Sequence, residues 1–176
     1  MHLAIVVKAA NQSARPIHAL WEEVGRLEGV PTMAGMGYPP HVTLAIYDEL
    51  DPRDALAALE MAFAGVPQIR LTFEAIRWFE NDPLVLWAAR RPQQLLQQAH
   101  AVIHGVIDPG RCLPHYRPGN WVPHCTLGVG IPRDRRDEAF AMTQRAIAPF
   151  EVCFDCADVV SFLPVEVIRE RPLDPN

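Results

Sequence analysis

Apolar and polar positions recur along this chain with two different periods, and the switches between them mark out its elements. MHLAIVV at the start is continuously apolar, as a buried strand requires. SARPIHALWEEVGRLEG then repeats its apolar residues at helical spacing, with Ile17, Leu20, Val24 and Leu27 on one face and Gly29 predicted to end it. The turn-rich PTMAGMGYPP leads into HVTLAIYD, whose alternation predicts a strand. DPRDALAALEMAFAG reads as a helix capped by Asp51, with Pro52 in its first turn and Gly65 as its stop. IRLTFEAIRWFE and PLVLWAARR read as strands paired around a turn at Asn81 and Asp82. PQQLLQQAHAVIHGV is a third helix, and DPGRCLPHYRPGNWVP is too rich in Pro and Gly to continue regular structure and is expected to form a loop beside a pocket. HCTLGVG reads as a strand, RDEAFAMTQRAIAP as a helix, and EVCFDCADVVSF with PVEVIRE as a closing hairpin.

Two of these elements match. PPHVTLAIYD corresponds to VPHCTLGVGI, with His41 and His124, and Thr43 and Thr126, each 83 positions apart. Each segment is followed by a helix and then a strand pair. The repetition predicts a single domain over 1–176, built of two similar α+β lobes that face one another, with repeats at about 38–90 and 121–170. No low-complexity linker separates the halves, so they are expected to dock.

Composition narrows the function. A length of 176 residues fits one bilobal domain, and 49% hydrophobic with 21% charged residues is ordinary for a chain that folds. A net charge of -5 argues against a generally basic surface for long nucleic acid and leaves room for a local anion pocket. The apolar start is too short for a membrane segment and has no cleavage region, so the expectation is a cytoplasmic protein with Cys112, Cys125, Cys153 and Cys156 as reduced thiols. No membrane and no obligatory protein partner is inferred.

On extended strands, His41, Thr43 and Ala45 share one face opposite Val42, Leu44 and Ile46, while His124 and Thr126 lie opposite Cys125, Leu127 and Val129. The apolar sets anchor against helices and the His-Thr pairs are left to line the groove between lobes. One His-x-Thr tripeptide is weak evidence; two in matching halves point to a paired catalytic site. Two imidazoles across one phosphate make chemical sense, because neutral histidine accepts a proton and imidazolium donates one near neutral pH. Threonine hydroxyls orient phosphoryl oxygens. Metal is not required: two histidines underfill a catalytic zinc site, and the offset from Cys153 to Cys156 puts their sulfurs on opposite faces of a strand.

With His41-Val42-Thr43-Leu44 and His124-Cys125-Thr126-Leu127 in place, the chain resembles the two-histidine (2H) phosphoesterase superfamily, especially its 2'-5' RNA ligase and RNA 2',3'-cyclic phosphodiesterase branch. The resemblance covers nearly the whole chain. It implies a bilobal, internally duplicated α+β fold with antiparallel sheets lining a central cleft and helices outside. It further implies hydrolysis of an RNA or oligonucleotide 2',3'-cyclic phosphate to a 2'-phosphate, with His41 as general acid for the 3' oxygen and His124 as general base. No cofactor is implied, and the reverse reaction would be a 2'-5' ligation. Tyr38, Trp78, Phe79, Tyr116 and Trp121 are candidates for a base platform, Arg77, Arg90, Arg117 and Arg133 for phosphate, and His115 for a substrate hydrogen bond. His115, Tyr116, Arg117 and Trp121 form the favoured set, since their loop precedes the second motif. Two other readings stay open: hydrolysis of a small cyclic nucleotide or ADP-ribose cyclic phosphate, and a nucleotide-binding module without turnover.

Overall fold

Strand β1 (Leu3–Lys8) is buried along its whole length. It opens a computed structural model that describes residues 2–162 and 164–175; Met1 of the expected first strand, Leu163 within the second repeat and Asn176 lie outside it. Helix α1 (Arg15–Gly25) follows a single 3-10 turn and buries Ile17, Leu20, Trp21 and Val24. It stops four residues before Gly29. The chain folds back there so that Pro31 faces Gly25, where an added Cβ would lie 3.1 Å from the Pro31 ring.

Next come β2 (His41–Tyr47) and α2 (Pro52–Phe63), whose first turn is capped by the Asp51 carboxylate accepting from Arg53 N at 2.9 Å. Gly65 follows with φ of 66°, a left-handed turn that favours glycine. Strands β3 (Ile69–Phe79) and β4 (Leu84–Arg90) form the expected pair, and α3 (Gln94–Val106) is capped by the Gln93 side chain. The Pro-Gly-rich segment after it holds only short 3-10 turns. Then come β5 (His124–Ile131), α4 (Arg136–Gln144), β6 (Phe150–Phe154), β7 (Cys156–Ser161) and β8 (Glu166–Pro172).

The eight strands make one antiparallel sheet in the order β6-β3-β4-β5-β2-β1-β7-β8. Its two four-stranded halves meet at β2 and β5, which pair only through Val42 and Cys125. The halves interleave: β3 and β4, which follow β2 in the chain, pair beside β5, and β7 and β8 pair beside β1. EVCFDCADVVSF, expected as one strand, is therefore two. Asp155 alone separates β6 from β7, although β3, β4, β5, β2 and β1 lie between them in the sheet. One residue spans only a few ångströms, so the two halves converge at that end. Asp155 fastens the crossing, its N–H donating to Lys8 O at 3.1 Å and its carbonyl accepting from Leu173 N at 2.8 Å.

The main core joins Val42, Leu44, Cys125 and Leu127 to the buried residues of α1, α2 and α3. Helices thus cover the strand face opposite the two His-Thr pairs. Among the described residues no helix is long and apolar enough to cross a membrane.

Candidate active site

The two motif strands share one burial pattern: His, x, Thr, Leu and the next residue read half-buried, buried, half-buried, buried, buried in both. The two consecutive buried residues mark a β-bulge. Ile5 pairs with Ala45 but Val6 with Thr43, which leaves Leu44 extra; Leu86 pairs with Gly128 but Trp87 with Thr126, which leaves Leu127 extra. After each bulge the alternation reverses. Ala45 enters the core instead of facing the groove with His41 and Thr43, while Ile46 and Val129 join the groove face instead of the core. Strict two-residue periodicity placed all three on the wrong side.

Glu28 holds the second bulge, its Oε1 accepting from Val129 N and Gly130 N at 2.9 and 2.8 Å. Gly128 is needed there: a Cβ would stand 2.6 Å from Val24 Cγ1 and 2.8 Å from the Glu28 carboxylate.

The Val42–Cys125 pair sets the register of the site. Continued antiparallel, it puts His41 across from Thr126 and Thr43 across from His124. Each imidazole is tethered in the same way. His41 Nδ1 lies 2.9 Å from Pro39 O and His124 Nδ1 lies 2.6 Å from Val122 O, in each case the carbonyl two residues earlier. A carbonyl only accepts, so both Nδ1 atoms carry hydrogen, and each Nε2 is the atom left for proton transfer. Two indoles brace the strands crosswise. Trp121 Nε1 donates to Thr43 O and Trp21 Nε1 to Thr126 O, both at 2.9 Å.

The surroundings of the two histidines differ. Tyr38 meets the His41 ring edge-on at 5.2 Å, and its hydroxyl donates to Asp158 Oδ2 at 2.6 Å. Asp158, fully buried, also holds Lys8 Nζ at 2.7 Å, and Lys8 reaches Glu170 as well. Burial opposes the Lys8 charge, yet the two carboxylates outweigh it and hold the ammonium above its ordinary pKa. His124 sits against the rings of Phe79 and Trp87, at 4.9 and 5.5 Å. Burial lowers both imidazole pKa values. The Pro39 carbonyl and Asp158 partly offset it at His41, whereas at His124 the Val122 carbonyl offsets it and the charge of His41 adds to it.

Two cavities meet in this groove. One of about 640 Å³ touches His41 and Thr43; another of about 350 Å³ touches His124 and Thr126, and Val129 borders both. His115, Tyr116 and Trp121 line the smaller one together with Phe79. Trp121 is also a strut, stacked parallel on His100 at 4.0 Å. Arg117 is turned away, its guanidinium donating to Cys112 O and Gly110 O. Arg133 pairs with Asp82, Arg90 donates to Arg91 O, and Arg77 is exposed on β3 in register with Trp87, outside both linings. Trp78 packs edge-on against Phe140. Among the described residues no group of three His, Cys, Asp or Glu side chains is placed to hold a metal ion.

The Trp21 brace and the ion pair were not visible in the sequence as site elements. Trp21 reads as one more apolar helix position, and Lys8 and Asp158 carry no motif. The signal available for Ile46 and Val129 was their shared offset of 83.

A family model described as the 2'-5' RNA ligase superfamily matches residues 9–163. No curated protein sequence matches the chain. Among solved structures, LigT of E. coli bound to 3'-AMP aligns with a TM-score of 0.66 at 16% identity, over 98% of this chain and 97% of LigT. TT0787 of Thermus thermophilus aligns with a TM-score of 0.61 at 17% identity over all of both chains, and a protein described as a phosphoesterase with 0.63 at 16% identity over 98% of each. At these identities the likeness is one of fold.

Proposed function

The chain belongs to the 2'-5' RNA ligase superfamily, and on that footing we propose that its paired histidines and threonines open a 2',3'-cyclic phosphate at an RNA or oligonucleotide end, giving a 2'-phosphate without a metal. Phosphorus sits between the imidazoles. His124 Nε2 takes a proton from water as its oxygen attacks phosphorus; the bond to the 3' oxygen breaks, and His41 Nε2–H protonates that oxygen. Thr43 and Thr126 donate to the nonbridging oxygens as charge builds on them. A ribose 5'-hydroxyl in place of water follows the same steps: its oxygen bonds to phosphorus as His124 takes its proton, the bond to the 3' oxygen breaks, and a 2'-5' linkage is left.

The observation that carries this reading is the matched tethering of His41 and His124 through Nδ1, which leaves two Nε2 atoms on one groove. E. coli LigT has been crystallised with 3'-AMP, ATP, NADP+ and phosphate, which agrees with a nucleotide phosphate at such a groove. The test is product analysis with an oligoribonucleotide ending in 2',3'-cyclic phosphate, in EDTA. The 2'-phosphate is expected from the wild type, with turnover reduced by about 10²–10⁴-fold in His41→Ala and in His124→Ala. Full turnover by either variant contradicts the assignment.

A second reading, a small cyclic nucleotide or ADP-ribose cyclic phosphate as substrate, is favoured by one feature. Among the described residues neither cavity is lined by Lys or Arg, so nothing there captures the next phosphate of a chain. Comparable kcat/KM for a mononucleotide and an oligomer, insensitive to salt, would select it.

A further inference from the structure

The larger arm of the groove is built for something other than a nucleobase. Most of its lining is apolar, Ala4, Val6, Met36, Ile46, Val160 and Phe162 included, and Ala4, Val6 and Val160 belong with Tyr38 to a small apolar cluster separate from the main core. Four polar side chains reach it: Thr32, Tyr38, His41 and Thr43. Two of these are already engaged. The Tyr38 hydroxyl donates to Asp158, and the Thr32 hydroxyl donates to Glu28 Oε1 at 2.6 Å and accepts from Val129 N at 3.1 Å. What is left for a ligand is the reacting pair itself, His41 and Thr43. A base carries several donors and acceptors on its edge and would lose water for them without partners on this wall. A hydrocarbon group has no such cost and gains from every methylene it buries. The smaller arm has the opposite character, with Asn81, His115, Tyr116 and Asn120 to meet a polar group.

We propose that the arm beside His41 binds the apolar alcohol portion of a phosphodiester, an alkyl or aryl group, while the polar portion lies toward His124. The proposal rests on the two-imidazole phosphodiesterase reading above and extends its substrate class. In the step it implies, His124 deprotonates water and the water oxygen bonds to phosphorus. The phosphorus bond to the apolar alkoxide breaks, and His41 supplies the proton that turns it into the alcohol, so one water is consumed and one alcohol and one phosphomonoester are formed. The acid's position at the mouth of the apolar arm is what ties the leaving group to that arm.

The experiment measures equilibrium binding of methyl, butyl and hexyl phosphate, with hexanol and adenosine 2'-monophosphate as controls, and turnover of adenosine 2',3'-cyclic phosphate alongside. Affinity is expected to rise up to about fourfold per methylene, so that hexyl phosphate binds at least roughly 30-fold more tightly than methyl phosphate after allowance for chain ordering. In Ile46→Asn, and in the exposed Val129→Asn should the first not fold, that ratio is expected to fall about tenfold, since a polar group then faces the chain. A flat series with intact turnover overturns the apolar arm alone. Hexanol binding as tightly as hexyl phosphate overturns it too, because the arm would then be unconnected to the phosphate. Equal loss of adenosine 2'-monophosphate and hexyl phosphate binding in Ile46→Asn overturns it in favour of a base. Absence of both turnover and phosphate-dependent binding overturns this proposal together with the phosphodiesterase reading.

Discussion

Identical tethers make His41 and His124 alike as ligands of their own backbones, so their neighbours decide what each does. Asp158 favours a proton on His41, whereas the rings of Phe79 and Trp87 offer His124 no such partner and the charge of His41 opposes one. That difference supports His41 as the acid and His124 as the base in the proposed reaction. Burial holds both below the ordinary histidine value of 6.5. The free enzyme needs one imidazole protonated and the other neutral, so kcat/KM is expected to follow a bell with its maximum below pH 6.5 and to decline as pH rises past 7. A maximum above pH 7.5 in a pH–rate series would contradict it. Gly128 is the residue whose size matters most in this neighbourhood. Gly128→Ala drives a methyl group into Val24 and Glu28 and is expected to destabilise by about 1–3 kcal/mol, read as a lowered denaturation midpoint.

At the scale of elements, β2 and β5 touch through a single residue pair and depend on braces from elsewhere. Trp121, from the loop before β5, holds the first motif, and Trp21, from α1, holds the second. Each brace fixes the carbonyl of the threonine that is to meet phosphate. Trp121→Phe keeps an aromatic ring to stack on His100 while removing the N–H, a bond worth about 1 kcal/mol, together with part of the indole's area. It is expected to lower kcat about fivefold with a shift of only a few degrees in Tm. A merely structural role would move Tm and leave kcat alone, and steady-state kinetics beside a thermal melt separates the two. The bulges at Leu44 and Leu127 are the other device at this scale, since they turn Ile46 and Val129 into the groove where regular strands would bury them.

For the whole molecule, four buried or half-buried histidines, His41, His100, His104 and His124, are held below their ordinary pKa, first of all by desolvation. The unfolded chain therefore binds protons at a pH where the folded chain does not. The stabilisation they give is complete above pH 6.5 and is lost as pH falls through their depressed values. Tm is expected to drop steadily from pH 7 to pH 5, and a flat profile would contradict this. The Lys8–Asp158 pair links β1 to β7 in the interior. Removing the Asp158 charge leaves the buried Lys8 ammonium only its contact with the more exposed Glu170, so Asp158→Asn is expected to cost about 2 kcal/mol, or roughly 6 °C in Tm.

The chain's own pattern determined the α+β class, the four helices, the strands around them and the four motif residues, because periodicity and a repeated tetrapeptide are local properties carried by adjacent residues. Strand alternation also separates the adjacent candidates Trp78 and Phe79 on β3, where Trp78 packs on Phe140 and Phe79 on His124. Other features depended on contacts between distant segments. The helix predicted to run to Gly29 ends at Gly25 because Pro31 packs back on it, and one predicted strand divides at Asp155 because its ends pair in different halves of the sheet. Arg117, chosen for its place in the loop, turns to the loop's own carbonyls. The bulges that bring Ile46 and Val129 to the groove exist only once β1 and β4 are paired beside them. The apolar arm next to His41 follows from those pairings, since residues from β1, β2 and β7, with Val129 of β5 and the loops beside them, become its walls only when these distant segments of the chain pair.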